Sequence, residues 1–231
     1  MNRRHLLAGI AAALTRTEAG EPEAGSLYIP KAHRVEDRAL LHDFMDEFPF
    51  VDLVTAAPSV RITHIPVLLE RGAGPYGTLF GHVARNNPQH ETFDARQSAV
   101  IVFRGPHAYI SPAWYTNHEA VPTWNFAVVH ATGKPKPITD KKALHDRLAQ
   151  LIHKFEGDSS YDFLSLPDSY VYPMLEAIAG FEMPIDSIEG KFKLGQERSE
   201  ADKASVLKHL EPPMRDFTND FYKKFATDKH R

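Results

Sequence analysis

Cysteine is absent from this 231-residue chain, which removes disulfides, thiolate metal sites and cysteine nucleophiles together. Redox chemistry here would need a borrowed cofactor. A basic excess is missing too: 27 Lys and Arg stand against 30 Asp and Glu, a formal net charge of −3. Nucleic-acid binders draw much of their affinity from clustered Lys and Arg, so this balance, with no obvious helix-turn-helix, argues against direct DNA binding. The apolar run Leu6 to Leu14 has nine residues, where a membrane span needs about twenty, so no membrane span is expected. Neither a phosphate-loop Gly-Lys-Ser/Thr, nor His-Glu-x-x-His, nor a serine-hydrolase elbow occurs, and dinucleotide binding is not expected. Thirteen histidines invite a metal hypothesis, yet no compact cluster supplies three ligands, so no metal site is expected.

The chain opens with Arg3-Arg4-His5-Leu6-Leu7 and the short apolar stretch Ala8 to Leu14, which resembles a twin-arginine export signal. Residues 1–26 are therefore an extension of a cytoplasmic protein or, alternatively, a signal for export. From Leu27 onward the pattern is that of an α+β, β-rich fold. Asp37 can cap a helix carrying Leu40, Leu41, Phe44 and Phe48 at helical spacing, stopped by Pro49. Phe50 to Thr55, Arg61 to Leu69, Thr78 to Val83, Ala99 to Phe103 and Trp124 to Ala131 are β-branched or aromatic and bounded by Gly, Pro or Asn. Five such strands suggest a barrel or a curled sheet. Lys141 to Phe155 and Tyr170 to Ala179 predict amphipathic helices, and Phe181 to Ile188 a returning strand. Ser199, three residues before Asp202, opens a last helix toward Leu210, which Pro212-Pro213 breaks. No internal repeat or long linker divides the chain, so one domain over 27–211 is expected, with a charged tail, 212–231, that can be helical and is dispensable to the core.

Both tryptophans fall in Gly105-Pro106-His107-Ala108-Tyr109-Ile110-Ser111-Pro112-Ala113-Trp114-Tyr115 and the nearby Val121-Pro122-Thr123-Trp124-Asn125. Aromatics, prolines and small hydrogen-bonding side chains crowded together suit a planar-ligand site. Trp114, Tyr115 and Trp124 can wall such a ligand or simply pack the core. Ser111, Thr123 and Asn125 are sharper candidates, because each places a polar tip in an apolar run.

Further motifs occur in a fixed order: Leu27-Tyr28-Ile29-Pro30, Thr63-His64-Ile65-Pro66, Gly81 to Gln89, the two aromatic blocks, and Ile188-Glu189-Gly190-Lys191-Phe192-Lys193-Leu194. Together they resemble the PaiB family over about residues 27 to 210. The resemblance implies an FMN-binding split β-barrel with peripheral helices, related to pyridoxamine-phosphate-oxidase-like flavoproteins. It also implies a homodimer with flavin sites at the subunit interface. The family takes its name from a negative transcriptional regulator. Two functions are therefore expected in parallel: a flavin-dependent oxidoreductase acting on a small substrate, or a ligand-sensing module that affects transcription through a partner.

An FMN site needs donors for a dianionic phosphate, an apolar slot for the ring system and hydrogen bonds to its pyrimidine edge. Gly81 to Gln89 joins a strand to a short helix, where helix-start amides plus His82, Arg85 and Asn86 can collect the phosphate. Arg85 on the surface and Asn86-Asn87-Pro88 as a plain turn would read the same way. Thr63 and His64 lie on a strand before Pro66, so the His64 ring either enters a cleft or is a half-buried group satisfied by a carbonyl. Glu189 to Arg198 alternates Lys191, Lys193 and Gln196 with apolar residues, as a solvated strand face also would. By the resemblance, Lys191, Lys193 and Gln196 reach the partner's flavin. Family members commonly have Lys-Leu-Ser-Gln-Asn-Arg where this chain has Lys193-Leu194-Gly195-Gln196-Glu197-Arg198.

Overall fold

The computed structural model describes residues 26–116 and 120–228, so all of the suspected leader, 1–26, except Ser26 lies outside the described residues. After a two-residue strand β1 (Arg34–Val35), helix α1 (Arg38–Glu47) starts where Asp37 accepts a hydrogen bond from Leu40 N at 3.1 Å. It buries Leu41, Phe44 and Met45 on one face. β2 (Phe50–Thr55) and β3 (Arg61–Pro66) then pair antiparallel. The single strand expected over Arg61 to Leu69 is two strands, because Pro66 has no N–H to continue the ladder. Val67 instead donates to Pro49 O, and β4 (Leu68–Glu70) begins beyond it.

β4 turns into β5 (Thr78–Ala84) through Gly72-Ala73-Gly74-Pro75-Tyr76-Gly77. That turn has the Gly-x-Gly-x-x-Gly spacing, but it joins two strands and opens no helix, so it is not a dinucleotide loop. β6 (Ala99–Ile110) is longer than expected and passes through a bulge between Arg104 and His107. Gly105 is needed there: a Cβ would lie 2.7 Å from the Phe44 ring. β7 (Thr123–Gly133) and β8 (Lys136–Pro137) lead to α2 (Lys141–Glu156), capped by Asp140, and α3 (Asp168–Glu176).

β9 (Ile178–Lys193) organises the sheet, whose hydrogen-bonded order is β3-β2-β6-β7-β9-β5-β4, with β1 and β8 also on β9. Its first half pairs with β5 and its second with β7, so one strand bends from one half of the barrel to the other. At the bend Gly133 approaches so closely that a Cβ would sit 2.3 Å from Pro184 O. β3 and β5 are not ladder neighbours, and this is the split in the barrel. It is closed by apolar contact, Ile65 lying against Gly81, and by polar ties from the segment after β5. Asn87 Nδ2 donates to Thr63 Oγ1 at 2.9 Å, Thr63 donates to Gln89 Oε1, and Arg61 donates to Pro88 O at 2.8 Å.

Leu53, Ile101, Phe103, Val129, Phe181 and Phe192 fill the barrel, while α2 and α3 bury a smaller cluster around Phe80 and Leu144. α4 (Glu200–Leu207), capped by Ser199, is followed by α5 (Pro212–Asp228). Here the expectation of a dispensable tail fails. Met214, Thr218 and Phe221 of α5 are buried, and Phe217 and Phe221 pack on Phe192. The many charges around Phe217 and Phe221 are the polar face of an amphipathic helix, and they hid its apolar stripe. No helix among the described residues is long and apolar enough to cross a membrane.

Candidate functional site

The candidate residues fall into two groups at different levels of the sheet. Thr63 pairs with Leu53 and Leu53 with Ile101, whereas Thr123 pairs with Ile110. Nine positions along β6 therefore separate the two levels, on the order of 30 Å at about 3.3 Å per residue. One chain does not bring the groups together.

The first group lies at the split. Thr63 is half-buried and committed to Asn87 and Gln89. Gln89 is fully buried, its amide nitrogen facing Leu53 O, Thr55 Oγ1 and Arg61 O at 3.0, 3.2 and 3.3 Å. Gln89 closes the Gly81 to Gln89 motif, and its position makes it the hub that holds the turn after β5 onto β2 and β3. His64 points to the opposite face of β3, exposed, with Nδ1 on Asp52 Oδ1 at 2.5 Å. Asp52 also meets Arg104 NH2 at 2.7 Å. This His64–Asp52–Arg104 bridge spans three strands and leaves the His64 Nε2 edge open to solvent. Asp52 and Arg104 escaped the sequence reading, although a carboxylate amid Phe50-Val51-Leu53-Val54 was the available signal.

His82 sits within β5 with an imidazole whose Nδ1 is buried and has no hydrogen-bond partner among the described residues. Burial pushes its pKa below the ordinary 6.5, so the ring is neutral. Arg85 and Asn86 follow in an exposed turn, with Arg85 N donating to Ala177 O at 2.7 Å. The Arg85 guanidinium makes no hydrogen bond or ion pair among the described residues. It lines a cleft of about 350 Å³ with His90, Thr139 and Lys141, against apolar walls from Ile138 and Leu175. Lys141 is held by Glu176 at 2.6 Å.

The second group gathers where β6 ends, β7 starts and β9 ends. Ser111 Oγ caps the short helix Pro112–Trp114, accepting from Ala113 N at 3.2 Å. Lys193 Nζ donates to Thr123 Oγ1 across the β7–β9 pairing. Trp124 is exposed, its ring set edgewise to Tyr109 at 6.0 Å, while the next residue, Asn125, is buried. Lys191 donates to Tyr28 O at 2.9 Å and lies 5.4 and 5.6 Å from the Tyr28 and Phe126 rings. Burial, and then the neighbouring Lys193 charge, push its pKa down. Gln196 clips the chain onto itself: it accepts from Leu194 N at 2.8 Å and donates to Ala32 O at 3.0 Å. Gly195 has φ +77°, a left-handed backbone that suits glycine better than any residue with a side chain.

A coiled sheet divided between β3 and β5, with helices packed on its ends, is a split β-barrel of the kind found in flavoproteins. It superposes on the flavocytochrome Anf3 from Azotobacter vinelandii with a TM-score of 0.57 at 15% identity, covering 77% of this chain and 78% of that one. The FAD and heme binding protein from Mycobacterium smegmatis gives 0.54 at 15%, covering 75% and 80%. The chain belongs to the family described as "Putative FMN-binding domain", whose model matches residues 27–187, and its relatives include PaiB as the motifs suggested. It is 34% identical over 188 residues to "Protease synthase and sporulation protein PAI 2" of Bacillus subtilis, covering 80% of this chain and 89% of that protein. An uncharacterised protein of Emericella nidulans is 29% identical over 227 residues, covering 80% and 90%.

Proposed function

We propose that this protein binds FMN, with the phosphate at the exit of β5 and the ring system along the seam of a homodimer. The observation that carries this reading is Arg85, a guanidinium without a hydrogen bond or ion pair among the described residues, set in a concave site beside His90 and Lys141, where the Glu176 carboxylate is held by Lys141 and that of Asp140 by the Ala143 amide. That donor set fits a phosphate monoester, because charge-assisted bonds to a planar guanidinium are among the strongest a phosphate can make. Asn86 adds an amide at the same turn, and Asn87 and Gln89 hold the turn rigid through Thr63. Support for the homodimer comes from the sheet face turned away from the barrel interior. Val54 pairs with Val100 there across β2 and β6, and Val102 and Val128 of β6 and β7 lie on the same face among Asp52, Arg104 and His130, flanked by the exposed Phe50 and Ile62. A second copy on that face would cover these valines and the His64–Asp52–Arg104 bridge among them, and it gives the Lys191, Lys193, Thr123 and Trp124 end of one chain a route to the Arg85 end of the other.

Bound FMN would supply hydride or electron transfer to a small substrate. The chain's own part is to hold the phosphate with Arg85 and to present the exposed edge of His64, oriented by Asp52, at the seam. A regulatory reading stands beside the oxidoreductase, favoured by the protease-synthesis and sporulation name of the Bacillus subtilis relative. The charge balance then points to action through a protein partner rather than direct contact with DNA. Oxidation of a reduced nicotinamide by the FMN-loaded protein supports the enzyme; absence of turnover together with ligand-dependent capture of a defined partner supports the regulator.

The test is an absorption and fluorescence titration with FMN and with riboflavin. Arg85→Ala should weaken FMN by about tenfold or more and leave riboflavin nearly unchanged. Equal loss of both ligands, or no loss of either, overturns the assignment of Arg85.

A further inference from the structure

At the other end of the barrel from β5's exit, α1 and α5 enclose a cleft of about 540 Å³ that the flavin reading does not use. Its floor is aromatic. Phe44 and Phe192 are fully packed beneath it, with centroids 4.9 Å apart. Phe48 and Phe217, only partly buried, meet edgewise at 6.0 Å and show the cleft their remaining ring surface. The bulge in β6 makes room, since Gly105 lets Phe44 lie against the strand and Pro106 enters the lining.

The walls carry the opposite chemistry. Asp43 and Glu47 lie one helical turn apart on α1, and Asp216 and Asp220 one turn apart on α5, all lining the same cleft. Asp43 is engaged by Arg71, Asp216 by Arg215 and Asp220 by Lys223, whereas Glu47 forms no ion pair among the described residues. Arg71, Arg215 and Lys223 thus offset three of the four lining carboxylates through exposed ion pairs, and Glu47 presents its charge to the cleft without such a pair among the described residues. Phenyl rings present negative faces, so an aromatic floor and an acidic rim attract the same thing.

We infer that this cleft is a second ligand site, for a small aromatic or aliphatic cation whose body stacks on Phe48 and Phe217 and whose charge faces Glu47 and Asp220. The volume is that of a typical small-molecule site. An anion is disfavoured by the rim, and a neutral hydrocarbon leaves the carboxylates without benefit.

The experiment titrates the full chain with thioflavin T, a rigid aromatic cation, and with anilinonaphthalene sulfonate, an apolar anion, following dye fluorescence. Thioflavin T should bind one site per chain and weaken in high salt. Glu47→Gln with Asp220→Asn should weaken it by about tenfold, two exposed charges acting together. Phe217→Leu, which keeps the apolar volume but removes the π face, should weaken it by about threefold. Arg85→Ala and excess FMN should leave the dye in place, which separates this site from the flavin reading. A preference for the anionic dye, indifference to both the charge and ring variants, or displacement by FMN overturns the inference.

Discussion

At the scale of single residues, the positions that matter most are those whose polar atoms have been taken out of water. Gln89 is the sharpest case, because its buried side chain reaches acceptors on both β2 and β3, Leu53 O, Thr55 Oγ1 and Arg61 O. Gln89→Leu should cost about 2–4 kcal/mol in a urea melt, since it strands several buried groups at once; a loss below 1 kcal/mol would show that the turn after β5 holds itself. His82 and His130 give a pH prediction. Burial lowers both folded pKa values from 6.5, with Glu189 partly opposing the shift at His130. The unfolded imidazoles therefore bind protons first as pH falls, and stability declines below pH 6.5 toward the lower folded pKa values. His82→Gln should flatten that decline in thermal midpoints measured from pH 7.5 down to about 5; an unchanged slope would exclude His82 as a source.

Elements show where sequence reading succeeds and where it runs out. The caps at Asp37 and Ser199 were legible because a short polar side chain before an apolar period has few other uses. The motif set and the turn after β5 were legible as well, and Arg85 stands in a concave site at that turn. Two things were not. β9 was read at half its length because its alternation breaks at Pro184 and again at Asp186-Ser187, where the strand changes partners from β5 to β7. α5 was read as a tail because its helical period follows two prolines and is diluted by charge. A pairing such as His64–Asp52–Arg104 lies beyond any one-dimensional pattern, since it depends on the register of three strands. The consequence for α5 is measurable: Phe221→Ala should cost about 3–5 kcal/mol, as for other large buried side chains. A loss under 1 kcal/mol would restore the view that this helix is an accessory.

The whole molecule is expected to work as a pair. Val54, Val100, Val102 and Val128 share an outward face with Asp52 and His130, and a glutamate at Val102, beside Asp52, should be intolerable once a second copy seals that face. Val102→Glu is expected to give a folded monomer in analytical ultracentrifugation, with FMN affinity lost alongside the dimer. A monomeric variant that still binds FMN normally would place the flavin within one chain.

β9 has a consequence for how this protein is made. It pairs with β1, β5, β7 and β8, yet it leaves the ribosome after all of them. Throughout most of translation the earlier strands emerge with their shared neighbour still unsynthesised. β3, β2, β6 and β7 can pair as they emerge, but joining them to β5 and β4 waits for β9, a late, long-range closure of the kind that slows folding.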